Sequence, residues 1–495
     1  MAEWLSKRSR VLFLLYSASY LILQGRKWYQ ESKANNELSR RHNCQLPPEL
    51  PKRWPLGIDR IKELWDSNAE GKLLAFLCSV AKDYEPRNNL YQFLLVGLRA
   101  FHVLHPRNVE AILSTNFKEY GFGCRPAVFA PLIGKGISTQ EGPERRHSRN
   151  PLRKQFARTQ YQNLDHFREH VDNLIASIPT QGQVDLQPLF FNLTLDTTTA
   201  LLFGRSEATN QEFAECFTIA QEGLAKRFRL APFHYLYNPP RFRRACRKVH
   251  EFVENYVRDR ENSRSQNIED QSTWFLDQIV EGSNNLSEVR DQLLNVLLAG
   301  RDTTACSLSW LFRLLVRHPH YMQRLRSEVH AVMGDSPNAT REQIRNTPFL
   351  ACVVKESIRL YPPVPLNNRE AVRTTILPTG GGPDGNNPIL VRKGELVKNI
   401  YGVDADIFRP ERWETGELAN IGWAYFPFNG GPRQCLGEDF ALMEVYYTTV
   451  KLLQTFPCIE LPPGEPNEPV GTERQRLSLV LASADGCKIS TSKAS

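Results

Sequence analysis

From Ser287 to the stop at His318-Pro319 the chain carries one unbroken helical pattern. At 1.5 Å per residue that is roughly 45 Å, enough to cross the whole of any domain it belongs to. Ser287 reads as the N-cap, Glu288 and Asp291 sit in the first turn where the positive end of the helix dipole favours carboxylates, and Pro319 cannot continue the ladder. Everything else must pack around that rod. Helical periodicity dominates up to about residue 365, turn-rich and strand-like sequence fills 366–434, and a last helix follows Cys435. The expected fold class is therefore mainly α with a smaller β portion (α+β): a single large domain with a long central helix.

Composition agrees with one sizeable core. The 495 residues are 41% hydrophobic and 23% charged, too apolar for a disordered chain and too long for a disulfide-stapled scaffold. Lys+Arg 62 against Asp+Glu 54 gives a net charge of +8, which admits acidic partners; without a dense basic run no nucleic-acid partner is expected. The ten cysteines are scattered with no C-x-x-C, and every histidine precedes residue 331, so neither a disulfide framework nor a local Cys/His zinc cluster is expected. Free thiols in a reducing compartment follow.

At the amino terminus an apolar run from Val11 to Leu23 lies between Lys7, Arg8 and Arg10 on one side and Arg26 and Lys27 on the other. It reaches about 20 Å against the roughly 27 Å hydrocarbon of an endoplasmic-reticulum bilayer. Residues 1–30 are read as a short membrane-anchor segment, the alternative being a first helix packed on the body. Residues 31–57 form a Pro-rich junction, extended and stiff through Pro47, Pro48, Pro51 and Pro55, and residues 58–495 form the main domain.

The densest chemical signal is F-N-G-G-P-R-Q-C-L-G, which fixes Phe428, Gly431, Arg433, Cys435 and Gly437 in ten residues. Gly431 and Gly437 allow positive φ or close backbone approach, so that amide N–H groups can be aimed at the sulfur. Phe440, Met443, Tyr447 and Val450 then recur at helical spacing, which places Cys435 at a helix amino terminus, where the dipole lowers a thiol pKa. A thiolate there calls for a metal or an electrophile, and Arg433 is a charge-assisted donor suited to a carboxylate. In the long helix, A-G-R-D-T-T (Ala299–Thr304) contains Gly300, about 1 kcal/mol worse than Ala in a helix interior, and hydroxyls able to bond back to the preceding turn. The helix is weakened where a ligand would fit.

These segments, in this order, resemble the cytochrome P-450 superfamily, whose haem loop has the form F-x-x-G-x-R-x-C-x-G. The resemblance implies that Cys435 is the thiolate ligand of haem iron, that Phe428 and Arg433 belong to the haem-binding loop, and that Arg369 (in N-N-R-E-A) and Arg149 (in H-S-R) bind propionates. It implies that Asp302 and Thr303 border the oxygen site and deliver protons. It also implies that Glu356 and Arg359 of E-S-I-R join Arg412 of F-R-P-E-R-W in a structural triad. The likeness runs over almost the whole chain and is nearest the fungal n-alkane and fatty-acid hydroxylases, through A-G-R-D-T-T, L-P-x-G-G-G-P-D-G and R-W-P-L-G. The implied activity is insertion of one atom of dioxygen into a C–H bond of a hydrophobic, long-chain substrate. Haem b is the cofactor and an NADPH-cytochrome reductase the electron donor, attracted by Arg153, Lys154 and Arg158. The implied location is the endoplasmic-reticulum membrane, with the catalytic domain facing the cytosol. A tailoring oxygenase of fungal secondary metabolism is an alternative substrate class.

Two departures from the family pattern stand out. Arg145 occupies the place of a usual tryptophan four residues before Arg149, and an arginine there can still pair with a carboxylate. The strand I-L-V-R-K-G-E-L-V is expected to end at Val397 and to run into K-N-I-Y-G-V-D-A-D without the short strand and helical turn that relatives place there. Unpaired backbone near the haem pocket, weak haem binding and a catalytically defective, lipid-binding product would follow from that loss. A non-haem helical protein that interacts through its basic face is the remaining alternative.

Overall fold

The computed structural model describes residues 2–83, 89–93, 99–159, 164–204, 206, 210–265, 274–281, 285–334, 336, 338–400 and 407–492. The helices of the first half are α1 (Ala2–Arg41), α2 (Ile58–Ala69), α3 (Leu73–Asp83), α4 (Pro106–Glu110), α5 (Arg125–Ile133), α6 (Gly142–Thr159), α7 (Asp165–Ser177) and α8 (Leu186–Phe203). Those of the second half are α9 (Gln211–Arg229), α10 (Pro240–Ser265), α11 (Trp274–Glu281), α12 (Leu286–Arg317), α13 (Pro319–Met333), α14 (Arg341–Arg345), α15 (Pro348–Leu360) and α16 (Glu438–Thr455). The strands are β1 (Asn89–Phe93), β2 (Arg99–Val103), β3 (Tyr120–Gly121), β4 (Gln181–Asp185), β5 (Leu366–Ala371) and β6 (Thr375–Gly381). They continue with β7 (Asn387–Val391), β8 (Leu396–Ile400), β9 (Cys458–Glu460), β10 (Gln475–Leu477), β11 (Leu481–Ser483) and β12 (Lys488–Ser492).

The long central helix is α12, 32 residues, stopping at Arg317 before His318-Pro319 as the sequence requires. Its cap differs from the expectation. Asn285, in extended conformation, accepts from the Ser287 N–H at 3.0 Å, so Ser287 lies inside the first turn. Asp291, expected in the first turn, is buried and accepts from the Lys135 N–H at 2.8 Å.

The two halves of α12 belong to two different cores. Val289, Leu293, Leu294, Val296 and Leu297 pack with α5, α9 and α10 through Phe129, Phe217 and Phe242. Ala305, Leu308, Trp310, Leu311 and Phe312 pack with α8, α15 and α16 through Phe190, Val353 and Tyr447. At roughly 25 cal/mol per Å² of apolar surface, these two clusters supply most of the folding drive. The stretch between them, from Leu298 to Thr304, contributes no fully buried apolar side chain to either cluster.

The main sheet runs β1-β2-β8-β5-β3, with β2 and β8 parallel and the other pairs antiparallel. Here the strand expected to end at Val397 is corrected. Arg392–Glu395 form a turn, and β8 begins at Leu396 and continues to Ile400, pairing with β2 on one edge and β5 on the other. Those backbone groups find partners on both sides, and the unpaired edge expected from the missing segment does not occur through Ile400; residues 401–406 lie outside the described residues. The Gly-rich stretch after Leu377 is likewise strand up to Gly381, part of the β6–β7 hairpin, and becomes a turn only beyond it.

At the other end of the chain α1 extends to Arg41, so the extended junction starts only near Cys44. It is tied to the β6–β7 hairpin by Gln45 N–H donating to Pro388 O at 2.9 Å and Gly382 N–H donating to Leu46 O at 3.0 Å. Among the described residues no helix is long and apolar enough to cross a membrane.

Glu356 of α15 has a fully buried carboxylate that gathers five donors. Arg359 donates through Nε at 2.8 Å and Nη2 at 3.0 Å, Arg412 through Nε at 2.9 Å, Trp413 through Nε1 at 2.9 Å and the Arg409 N–H at 2.9 Å. Burial alone would raise this carboxyl's pKa; the Arg359 bonds and charge, with the Arg409 and Trp413 donors, outweigh it and hold it below the ordinary value. A depressed folded pKa gives stability that is present above the unfolded value, about 4.3, and is lost as pH falls through the folded one. Glu356→Gln is expected to cost on the order of 3–5 kcal/mol in chemical denaturation at pH 7 and to flatten the loss of stability below about pH 4.

Candidate functional site

The loop before α16 is built around one hydrogen bond, from the Cys435 N–H to Phe428 O at 2.8 Å. Asn429 (φ 63) and Gly431 (φ 57) turn the chain inside it, and Gly431–Arg433 form a single 3₁₀ turn. A Cβ at Gly431 would lie 2.2 Å from Leu113 O, so this glycine is needed both for its conformation and for its space. Gly437 is not: its φ is −93° and its nearest neighbour, on Phe156, would be 3.5 Å away. Phe428 packs against one core and Leu436 against the other, which places Cys435 where the two meet.

Cys435 is exposed, yet burial pushes its thiol above the ordinary value, as expected for a sulfur facing a space walled by protein. The Gly437 N–H and the charge of Arg149 favour the thiolate, while Glu438 opposes it. The expected net lowering by the helix dipole is therefore corrected: α16 starts only at Glu438, and desolvation wins.

The middle of α12 has the same character. Ala299 is exposed and Thr303 half-buried in a helix whose flanking residues are core, so one face of one turn is left open. Thr303 Oγ1 donates back to Ala299 O at 2.8 Å. Gly300 is where α8 comes close, since a Cβ would lie 2.7 Å from Thr198 Oγ1. Asp302 is buried on another face, and its carboxyl is raised by desolvation against the opposing charge of Arg301. Arg301, which sequence reasoning passed over, lies between the rings of Phe191 and Phe217 at 5.6 and 5.5 Å. It donates to Gln221 Oε1 at 3.1 Å and stands 3.6 Å from Asp302 Oδ1, linking this turn to α9.

Beside the cysteine loop, arginines from four parts of the chain converge on two rings. Arg433, Arg125 and Arg369 stand 4.2, 4.6 and 5.1 Å from the centre of Phe122, and Arg145 5.3 Å from that of Phe117. Arg433 donates to Ile137 O at 3.1 Å and Gln140 O at 2.7 Å, and Arg145 to Pro432 O at 2.7 Å. Burial, then repulsion from Arg145, Arg369 and Arg125, drives the Arg433 guanidinium down to about 9; burial takes Arg125 to about 10. The Nε atoms of Arg125, Arg145 and Arg433 are buried with no hydrogen-bond partner. So much mutual repulsion and so many orphaned donors call for anionic oxygens at this place. A haem fits: one sulfur to ligate iron, and a nest of guanidinium groups for two propionates. Arg149, repelled by Arg145 of that nest, donates to Gln434 O at 2.8 Å beside the cysteine.

The two glycines of the loop separate cleanly in an experiment. Gly431→Ala is expected to destabilise by roughly 1–3 kcal/mol and to lower haem content, whereas Gly437→Ala should shift the thermal midpoint by no more than the equivalent of about 0.5 kcal/mol and keep full haem occupancy.

Comparison with known proteins agrees with this arrangement. The sequence profile of the cytochrome P-450 family matches residues 49–483. The chain is 43% identical to a cytochrome P-450 of Arthroderma benhamiae, over 94% of this chain and 95% of that one. It is 37% identical to cytochrome P-450 52A13 of Debaryomyces hansenii, over 91% and 92%, and 37% identical to the cytochrome P-450 monooxygenase g430 of a Fusarium species, over 86% and 83%. Among solved structures the cytochrome P-450DA heme domain superposes with a TM-score of 0.77 at 18% identity, covering 91% of this chain and 98% of that one. A cysteine loop between two cores, an opened turn of the central helix and matches along nearly the whole chain make this protein a member of the cytochrome P-450 family of monooxygenases.

Proposed function

We propose that the protein hydroxylates long-chain aliphatic substrates, n-alkanes or fatty acids, with haem b held at Cys435 and electrons from an NADPH-cytochrome reductase. The observation that carries this is the pairing of the cysteine loop, set where the two cores meet, with the opened Ala299–Thr303 turn between those same cores. Haem bound there supplies the activation of dioxygen, one atom entering a C–H bond and the other leaving as water.

The chain's own residues then have separate tasks. Cys435 gives up its proton to become the ligand, helped by the Gly437 N–H and Arg149. Arg433, Arg369, Arg145 and Arg125 bind the two propionates, which relieves their repulsion. Asp302, its carboxyl raised by burial, is the acid adjoining Thr303 on α12. Thr303 presents a hydroxyl on the open face and can exchange its Ala299 bond for one into the site. Arg153 and Lys154 are exposed on α6, the helix that also carries Arg149, and suit an acidic reductase surface; the side chain of Arg158 lies outside the described residues.

Membrane association at the endoplasmic reticulum, with the domain on the cytosolic side, is supported by α1, where Leu21, Ile22, Leu23 and Trp28 are exposed, and by the exposed Trp54, Ile58 and Trp65 of α2 and its approach. Double-sided pairing of β8 supports a competent oxygenase over a defective product.

The reduced, carbon-monoxide-treated protein is expected to absorb at the thiolate-ligated haem band, and Cys435→Ser to abolish it. With reductase and NADPH, a panel of alkanes and fatty acids should yield hydroxylated product; a normal band without product would sink the substrate class. Asp302→Asn should keep the band and slow product formation by roughly 10²-fold or more.

A further inference from the structure

Phe122 stands in Y-G-F-G-C, between two glycines that each make room for a carboxylate. A Cβ at Gly121 would lie 2.9 Å from Glu141 Oε1, and one at Gly123 (φ 57) would overlap the carboxylate of Glu370. The backbone is tied on both sides of the ring. The Phe122 N–H donates to Glu141 Oε1, the Arg125 N–H donates to Phe122 O at 3.2 Å, and Gly121 pairs with Glu370 between β3 and β5. The ring itself is buried.

Three guanidinium groups from three elements meet on it. Arg433 of the cysteine loop stands 4.2 Å from the ring centre, Arg125 of the first turn of α5 4.6 Å and Arg369 of β5 5.1 Å. An electron-rich ring attracts cations at these distances, the more so where water is excluded. Carboxylates are the alternative partners. Glu141 and Glu370 flank the ring and repel each other, since the Glu370 carboxyl is raised by burial and then by the charge of Glu141. A guanidinium drawn between them would relieve that repulsion. Yet the pull of Glu141 on Arg433 ranks behind burial and the push of three other arginines, and Arg125 responds to burial alone.

The kind of partner decides what becomes of the donors. A carboxylate engages a guanidinium through its N–H groups and uses them up, whereas a ring face holds the charge and leaves the N–H groups at the guanidinium edge free. The Nε atoms of Arg433 and Arg125 are buried without a hydrogen-bond partner, so donors of this kind are held in reserve beside the ring.

We propose that Phe122 is the platform that preorganises the propionate nest: its ring, in place of a carboxylate, keeps Arg433, Arg125 and Arg369 gathered and leaves donors of the first two for the haem propionates. It touches no reacting atom and is a positioning residue. The proposal rests on the haem reading of the Cys435 site and adds the group that lowers the cost of assembling three like charges before the cofactor arrives.

Transfer of haem from the loaded full chain to an excess of apomyoglobin is followed optically in wild type, Phe122→Leu, Phe122→Tyr and Phe122→pentafluorophenylalanine, the last of which keeps the shape of the ring and reverses the charge pattern of its face. The fluorinated chain and Phe122→Leu should each lose haem about tenfold faster than wild type, and Phe122→Tyr, which keeps the electron-rich face, should stay within about twofold. Because the fluorinated ring fills the same space, that chain reads the charge pattern even where Phe122→Leu fails to fold. Haem loss at the wild-type rate from the fluorinated chain overturns the proposal, since bulk alone then suffices, and so does equal acceleration in Phe122→Leu and Phe122→Tyr. Absence of the thiolate-haem band in wild type overturns the haem reading together with this one; a normal band with the same rate of haem loss in all four chains overturns this one alone.

Discussion

A helix that is core on nearly every side must bury side chains all round, and α12 does so twice, in two clusters with different partners. The cost of a shared axis is a seam. At that seam α12 is filled by neither cluster, although α8 is drawn close at Gly300. The seam holds the residues with the least apolar burial in the helix, and it is where Thr303 and Cys435 come to be accessible inside an otherwise packed molecule. Packing that is close to crystalline elsewhere makes such an opening a specified feature.

Charge is handled in two opposite ways on the two sides of this seam. Glu356 is the best-satisfied carboxylate of the proximal half, with five donors arranged around two oxygens, and it needs nothing from outside. The arginines around Phe122 and Phe117 are the reverse: cations gathered from distant segments, partly desolvated, facing one another, with Glu141 as the weak counterweight. A buried network completed internally is structure, whereas one left with an excess of one sign is a binding site awaiting the other.

How much of this was legible in the sequence follows from how far apart the interacting residues are. Cys435 and its loop, the E-S-I-R pair and the end of α12 before Pro319 are set by neighbours within a few positions, so spacing alone exposes them. Arg125 and Arg301 left no such trace. One is an ordinary arginine beside a proline, and the other is hidden inside A-G-R-D-T-T; their meaning comes from Phe122, Arg433, Phe217 and Gln221, tens to hundreds of residues away. The misjudged points share one cause, the use of a local rule where a tertiary effect is larger. The dipole of α16 loses to desolvation at Cys435, the flexibility assigned to Gly437 is not needed, and β8 runs past Val397 because β2 and β5 offer it partners on both edges.

Helix α9 joins the seam to the surface. Gln221 and Thr218 reach inward to Arg301, while Glu222, Lys226 and Arg229 line a surface cavity, so one rigid element carries both the group next to Asp302 and the cations at that cavity. Rigid helices transmit displacement with little loss, and the Arg301 contacts to α9 are two long hydrogen bonds to Thr218 and one to Gln221, the kind that a small shift of α9 lengthens first. Arg301, held by α9 at 3.6 Å from Asp302, lowers that carboxyl's proton affinity against burial, so the placement of α9 bears on Asp302.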